Sequence, residues 1–126
     1  MIVDSSALVA IIKGEPEAPM LLAAMREAPT LGLPTPVALE VSLVIGHERV
    51  DRAADLIREA GLTYIDFTLD HLVVAQQAHA TYGRGSGSKA KLNFGDCMSY
   101  AVAKVRDEPL LFKGDDFTHT DITPAL

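Results

Sequence analysis

The chain has 126 residues, 48% of them hydrophobic and 22% charged, and a net charge of −6. That length makes one domain, residues 1–126, with a real core, and that composition excludes intrinsic disorder, a coiled coil and low-complexity repeats. The acidic balance argues against a general nucleic-acid binder, and no apolar run approaches the roughly 18 residues of a membrane helix.

Met1-Ile2-Val3 is a short apolar run that stops at Asp4 and predicts a buried strand. Ala7, Leu8, Val9, Ile11 and Ile12 predict a short helix capped by Asp or Ser and ended by Gly14 and Pro16. A second helix spans Ala18 to Ala28, and Thr30 to Leu33 reads as a short strand. Thr35-Pro36 supplies an N-cap and a first-turn proline for a helix from Pro36 to Ile45 that is apolar on nearly every side. Glu48 to Ala60 is an amphipathic helix that closes at Gly61. Leu62 to Phe67 reads as a strand, and Thr68 caps a long helix running to Tyr82. Residues 83–91, Gly-Arg-Gly-Ser-Gly-Ser-Lys-Ala-Lys, predict a flexible loop outside the core. A helix then runs from Asn93 to Arg106, with Met98, Ala101, Val102 and Val105 at helical spacing. Pro109 to Phe112 is the last strand, and Gly114 to Asp121 a turn-rich acidic end.

Short apolar strands alternating with helices predict an α/β fold, a parallel sheet covered on both faces. In such sheets the functional crevice lies at the carboxyl ends of the strands. The N-terminus has no basic region or long apolar stretch, and a lone Cys97 can form neither an internal disulfide nor a structural zinc site. Both features point to the cytoplasm.

The crevice rule selects carboxylates. Asp4 ends the first strand, where it also serves as a helix cap. Asp96 opens the helix after Asn93-Phe94-Gly95, in the place of a capping-box acid. Asp115 and Asp116 follow the last strand. Glu40 lies on the apolar helix between Val37, Val41 and Val44 on one side and Leu39 and Leu43 on the other. An ionised carboxylate there requires either a buried arginine partner or a metal. Carboxylates gathered at one sheet edge repel unless a cation sits among them, and Mg²⁺ or Mn²⁺ prefers such oxygen ligands. A ring of this kind can activate water against a phosphodiester. The four histidines show no HxxxH or HExxH spacing, Ser5 and Ser6 lack a G-x-S-x-G context, and the glycines of the loop form no phosphate-binding fingerprint.

Charge is unevenly spread. Residues 1–83 sum to −6, residues 84–113 to +3 and residues 114–126 to −3. Arg84, Lys89 and Lys91 form a basic island without acids, suited to tracking the phosphates of an RNA.

Taken together, these segments resemble a known family. The opening Met-Ile-Val-Asp-Ser-Ser-Ala-Leu is similar to that of PIN-domain ribonucleases. Leu92-Asn-Phe-Gly-Asp-Cys-Met-Ser-Tyr-Ala-Val-Ala-Lys104, with Pro109-Leu-Leu-Phe-Lys-Gly-Asp-Asp-Phe117 and Thr120-Asp-Ile122, resembles the VapC toxins of VapBC toxin–antitoxin modules. The resemblance covers essentially the whole chain. It implies a three-layer α/β/α sandwich with a mainly parallel sheet and an endoribonuclease dependent on Mg²⁺ or Mn²⁺. It maps the catalytic, metal-holding acids onto Asp4, Glu40 and Asp96. Many PIN domains carry a fourth acid where this chain has Gly114; Asp116 is the favoured replacement here, with Asp115 and Asp121 as substitutes. Ser6 matches a small hydroxyl that holds the first acid by a hydrogen bond. The resemblance further implies a VapB-type antitoxin, an RNA substrate and a homodimer. The segment Ala18 to Ala28 and the helix from Pro36 offer a groove for the antitoxin. The competing readings are a catalytically silent PIN-like module binding RNA or protein, and a phosphatase or DNA nuclease using the same acids.

Overall fold

The structure is a computed structural model and describes residues 1–126. Four strands form one sheet: β1 (Ile2–Val3), β2 (Leu31–Pro34), β3 (Leu62–Ile65) and β4 (Leu110–Leu111). Their order is β3-β2-β1-β4 and every pairing is parallel, with Ile2 opposite both Gly32 and Leu110. Six helices connect them: α1 (Ser5–Lys13), α2 (Ala18–Glu27), α3 (Thr35–Ile45), α4 (Val50–Glu59), α5 (Leu69–Tyr82) and α6 (Phe94–Arg106). No helix is long and apolar enough to cross a membrane.

The three layers follow from strand alternation, which sends successive side chains to opposite faces. Val3, Leu31, Leu33 and Leu111 pack under α1 to α4, together with Leu8, Leu21, Val37 and Val41. Ile2 and Leu110 pack on the other face, under α5 and α6, with Ala78, Tyr100, Val102 and Phe117. A fully buried leucine or valine of this kind stabilises the fold by roughly 1.5–3 kcal/mol.

Several local expectations need correction. α3, apolar on nearly every side, buries one face, and its other apolar face is the part of the expected groove that stays exposed. Val37, Val41 and Ile45 face the core, whereas Leu39, Leu43 and Val44 stand in solvent. A short 3₁₀ turn (His47–Arg49) precedes α4, so that α-helix starts at Val50. The loop at 83–91 is tied to the core. Leu92 N–H donates to Tyr82 O and Arg84 N–H to Leu92 O, Ser86 Oγ donates to Gly83 O, and Ala90 is buried. Residues after the acidic turn add to the sheet edge: Leu110 N–H donates to Thr123 O and Ala125 N–H to Leu110 O.

His71 is a capping residue. Its Nδ1 accepts from the Thr68 N–H at 3.0 Å at the start of α5.

Candidate active site

From β1 the chain builds outward through β2 to β3, then places β4 on the opposite side of β1. The connections leaving β1 and β4 therefore part company, and such a switch point opens a crevice at the carboxyl ends of the strands. Asp4 leaves β1 there. Its backbone N–H donates to Leu111 O at 2.9 Å, and Lys113 N–H donates to Ser6 Oγ at 3.0 Å, which ties the two loops together.

Asp4 is 2% exposed and is held at both oxygens. Oδ2 accepts from Ser6 N–H at 2.9 Å and from Ser6 Oγ at 2.6 Å. Oδ1 accepts from Ser99 Oγ at 2.5 Å. Asp4 is thus the cap of α1 and a fixed acid of the crevice at once. The Ser6 hydroxyl donates to Asp4 while accepting from the Lys113 N–H. Ser99 was not anticipated. It is fully buried and lies one helical turn after Asp96, but its partner is 95 residues away, and no local pattern announces the pair.

Asp96 sits in the first turn of α6 and is 8% exposed. It forms a reciprocal capping box: Asn93 N–H donates to Asp96 Oδ2 at 2.8 Å, and Asp96 N–H donates to Asn93 Oδ1 at 2.9 Å. Burial pushes its carboxyl up to about 6; the Asn93 hydrogen bond opposes this, and repulsion from Asp4, Asp116 and Glu40 adds to it. Four carboxylates from β1, α3, α6 and the loop after β4 therefore share one electrostatic neighbourhood.

Glu40 is half-buried on α3 and is in no ion pair with any Lys, Arg or His. The arginine-partner reading thus fails. Its carboxylate lies against Gly95 of α6: a Cβ on Gly95 would fall 2.2 Å from Glu40 Oε1. Asp116 is exposed and acts on Asp96; Asp115, its neighbour, does not figure in that field. Asp121 is committed elsewhere, accepting from Tyr100 Oη at 2.6 Å and Lys104 Nζ at 3.0 Å, contacts that hold its carboxyl below the ordinary carboxylate value.

The donor set of Asp4, Glu40, Asp96 and Asp116 is all carboxylate oxygen, which suits a hard divalent cation. No three acidic, histidine or cysteine side chains close tightly enough to hold an ion as they stand. The missing Cβ of Gly95 leaves Glu40 the room to face Asp96.

Among cations, Lys113 is bound to Glu15 and Glu17, Lys104 to Asp121, and Arg106 to Glu108. Arg84, Lys89 and Lys91 are exposed and in no ion pair. Tyr100 is buried against Tyr82.

Residues 1–122 match the PIN domain. Ribonuclease VapC42 of Mycobacterium tuberculosis is 45% identical over 129 residues, spanning 99% of this chain and 98% of that protein. Two solved structures share the fold at lower identity. A toxin–antitoxin complex from Klebsiella pneumoniae aligns with a TM-score of 0.73 at 17% identity, covering 95% of this chain and 92% of its own. Mycobacterium tuberculosis VapC20, described as a sarcin-ricin loop cleaving toxin, aligns with a TM-score of 0.72 at 19% identity, covering 98% of each chain. With its acids at the switch point of a parallel sheet and a full-length match to such a relative, the chain belongs to the PIN-domain family and, within it, to the VapC ribonucleases.

Proposed function

We propose that this protein is an endoribonuclease toxin that hydrolyses RNA phosphodiester bonds with Mg²⁺ or Mn²⁺ at the acidic crevice. The observation that carries the reading is Asp96, a buried acid raised to about 6 beside three further carboxylates. A scaffold gains nothing from such uncompensated charge, whereas a cation site is built from it. Asp4, Glu40, Asp96 and Asp116 would hold the ion, with Asp115 the neighbouring substitute. When bound, the cation supplies a Lewis acid and an activated water at neutral pH.

The chain's own groups do the rest. Ser6 and Ser99 fix the plane of the Asp4 carboxylate, and the Asn93 amide fixes Asp96. Arg84, Lys89 and Lys91 are not neutralised by acids, so they can attract a polyanion that the crevice itself repels. Exposed Leu39, Leu43 and Val44 on α3, and Leu69, Leu72 and Val73 on α5, supply apolar surface for a homodimer. A cavity of about 750 Å³ between α2 and the C-terminal segment, lined by Met20, Ala24 and Leu126, suits a VapB-type antitoxin. Such a toxin meets its RNA and its antitoxin in the cytoplasm.

Purified protein incubated with RNA, duplex DNA and a phosphomonoester, with and without Mg²⁺ or Mn²⁺, tests the reading. Cleavage of RNA alone, abolished by chelator, is expected. Inertness toward all three would identify a silent binding module.

A further inference from the structure

Lys113 is tied down at both ends. Its backbone N–H donates to Ser6 Oγ at 3.0 Å, and that hydroxyl donates to Asp4 Oδ2 at 2.6 Å. Its Nζ reaches the other way, donating to Glu15 and lying 3.4 Å from Glu17 Oε2, a buried oxygen with no hydrogen bond of its own. Both glutamates belong to the linker between α1 and α2. Glu15 is itself fixed: its N–H donates to Ala10 O and its carbonyl accepts from Ala18 N–H, each at 2.9 Å.

This contact differs from other side-chain ion pairs of the molecule. Arg58 with Asp55 and Arg106 with Glu108 bridge near neighbours in sequence, whereas Lys113 and Glu15 stand 98 residues apart and join two loops. An exposed ion pair adds little to stability, so its worth here lies in what it orients. Lys113 is followed by a bend at Gly114, with φ at +99°, and then by Asp115 and Asp116. A clamped side chain restricts how the Lys113 N–H meets Ser6 and gives the acid-bearing loop a fixed point of departure from β4. Two carboxylates against one ammonium leave no spare positive charge there for a phosphate.

We propose that Lys113 is a positioning residue: clamped by Glu15 and Glu17, it sets the Ser6 hydroxyl through its backbone N–H, and through Ser6 the Asp4 carboxylate that would hold the cation. The proposal rests on the ribonuclease reading and gives the α1–α2 linker a share in organising the same centre. Partners that hold a ligand from behind are worth about tenfold to a hundredfold in metal affinity or activity.

The test uses Lys113→Met, Lys113→Arg, and Glu15→Gln combined with Glu17→Gln. Mn²⁺ alone is the probe in calorimetric titration, hydrogen exchange at single amides reports on the metal-free protein, and a short unstructured oligoribonucleotide gives kcat and KM. Lys113→Met and the double glutamine variant should each lower Mn²⁺ affinity and kcat by about tenfold, with KM within about twofold of the wild type. Combining them should cost nothing more, since one clamp is lost either way. Lys113→Arg should recover most of the loss. Without metal, the Ser6 and Lys113 amides should exchange about tenfold faster in Lys113→Met, while the Ile2 amide in the sheet keeps its rate. Wild-type Mn²⁺ affinity in Lys113→Met, additive losses, or faster exchange throughout the sheet would each overturn the proposal. So would a raised KM in Lys113→Met with a lowered KM in the glutamine variant, which would make Lys113 a contact to the RNA. The two readings fail separately: Mn²⁺ binding and RNA cleavage indifferent to Lys113→Met remove only the clamp, whereas a wild type that neither binds Mn²⁺ nor cleaves RNA removes the ribonuclease reading and the proposal with it.

Discussion

The Glu40 carboxylate of α3 rests against the bare Cα of Gly95 in α6, where a Cβ would come within 2.2 Å of Oε1. Two helices that flank different strands thus meet at one atom that is missing. Ordinarily alanine is better than glycine inside a helix by about 0.5–1 kcal/mol. Gly95→Ala should therefore leave the melting temperature unchanged or raised, because the end of a flexible Glu side chain can swing away. Mn²⁺ affinity and RNA cleavage should fall by about tenfold or more. Calorimetric titration with Mn²⁺ beside thermal melting checks both halves.

The raised Asp96 carboxyl has a stability consequence. The folded protein holds this proton more tightly than the unfolded chain, which titrates near the ordinary 3.8. Without metal, stability should fall as pH rises from about 4 to about 6 and stay low above that, by roughly 2–3 kcal/mol at most. Asp96→Asn removes the charge and keeps an acceptor for Asn93, so it should be the more stable protein at pH 7 in chelator. The difference should vanish near pH 4. Melting curves of both proteins across that range decide it.

Ser99→Ala strips Asp4 Oδ1 of a buried donor. The loss of a hydrogen bond to a charged group costs about 1.5–3 kcal/mol, and cleavage should fall about tenfold to a hundredfold through misplacement of Asp4. Ser99→Thr, which keeps the hydroxyl, should recover part of both. Denaturant unfolding and initial cleavage rates report the two effects separately.

Much of this was legible because the chemistry is local. A three-residue apolar run ending in Asp4 declares a strand and its crevice-side acid, and Asn93 with Asp96 declares a helix start. Ser99 was not legible: its partner lies 95 residues away, and on the helix wheel it sits among core residues. On α3 apolar residues lie on nearly every side, so which of them meet the core and which, like Leu39 and Leu43, stay in water is set by the sheet it packs on and not by its own pattern. The pairing of Thr123 and Ala125 with β4 depends on an edge created by the sheet order, and Pro124 between them reads as a breaker. The glycine-rich stretch read as loose because Ala90 and the serine hydrogen bonds that close it carry no hydrophobic pattern.

Changing Arg84, Lys89 and Lys91 together to serine should weaken RNA binding and reduce the slope of log affinity against log salt by about 2, the value for three single-strand phosphate contacts. Mn²⁺ affinity should not move, as none of the three is near the acids in role. Fluorescence anisotropy over a salt series measures the slope.

On the proposed function, Asp4, Glu40, Asp96 and Asp116 act as one metal-dependent RNA-cleaving centre. Its most direct measurement is the cleavage rate of a labelled single-stranded RNA in Mg²⁺, Mn²⁺ and chelator, for the wild type and for Asp4→Asn, Glu40→Gln, Asp96→Asn and Asp116→Asn. The wild type should cleave only with metal, and each folded variant should lose that activity by about a hundredfold or more. Cleavage by the wild type in chelator, or wild-type rates from folded Asp96→Asn, would show that these acids hold no catalytic metal.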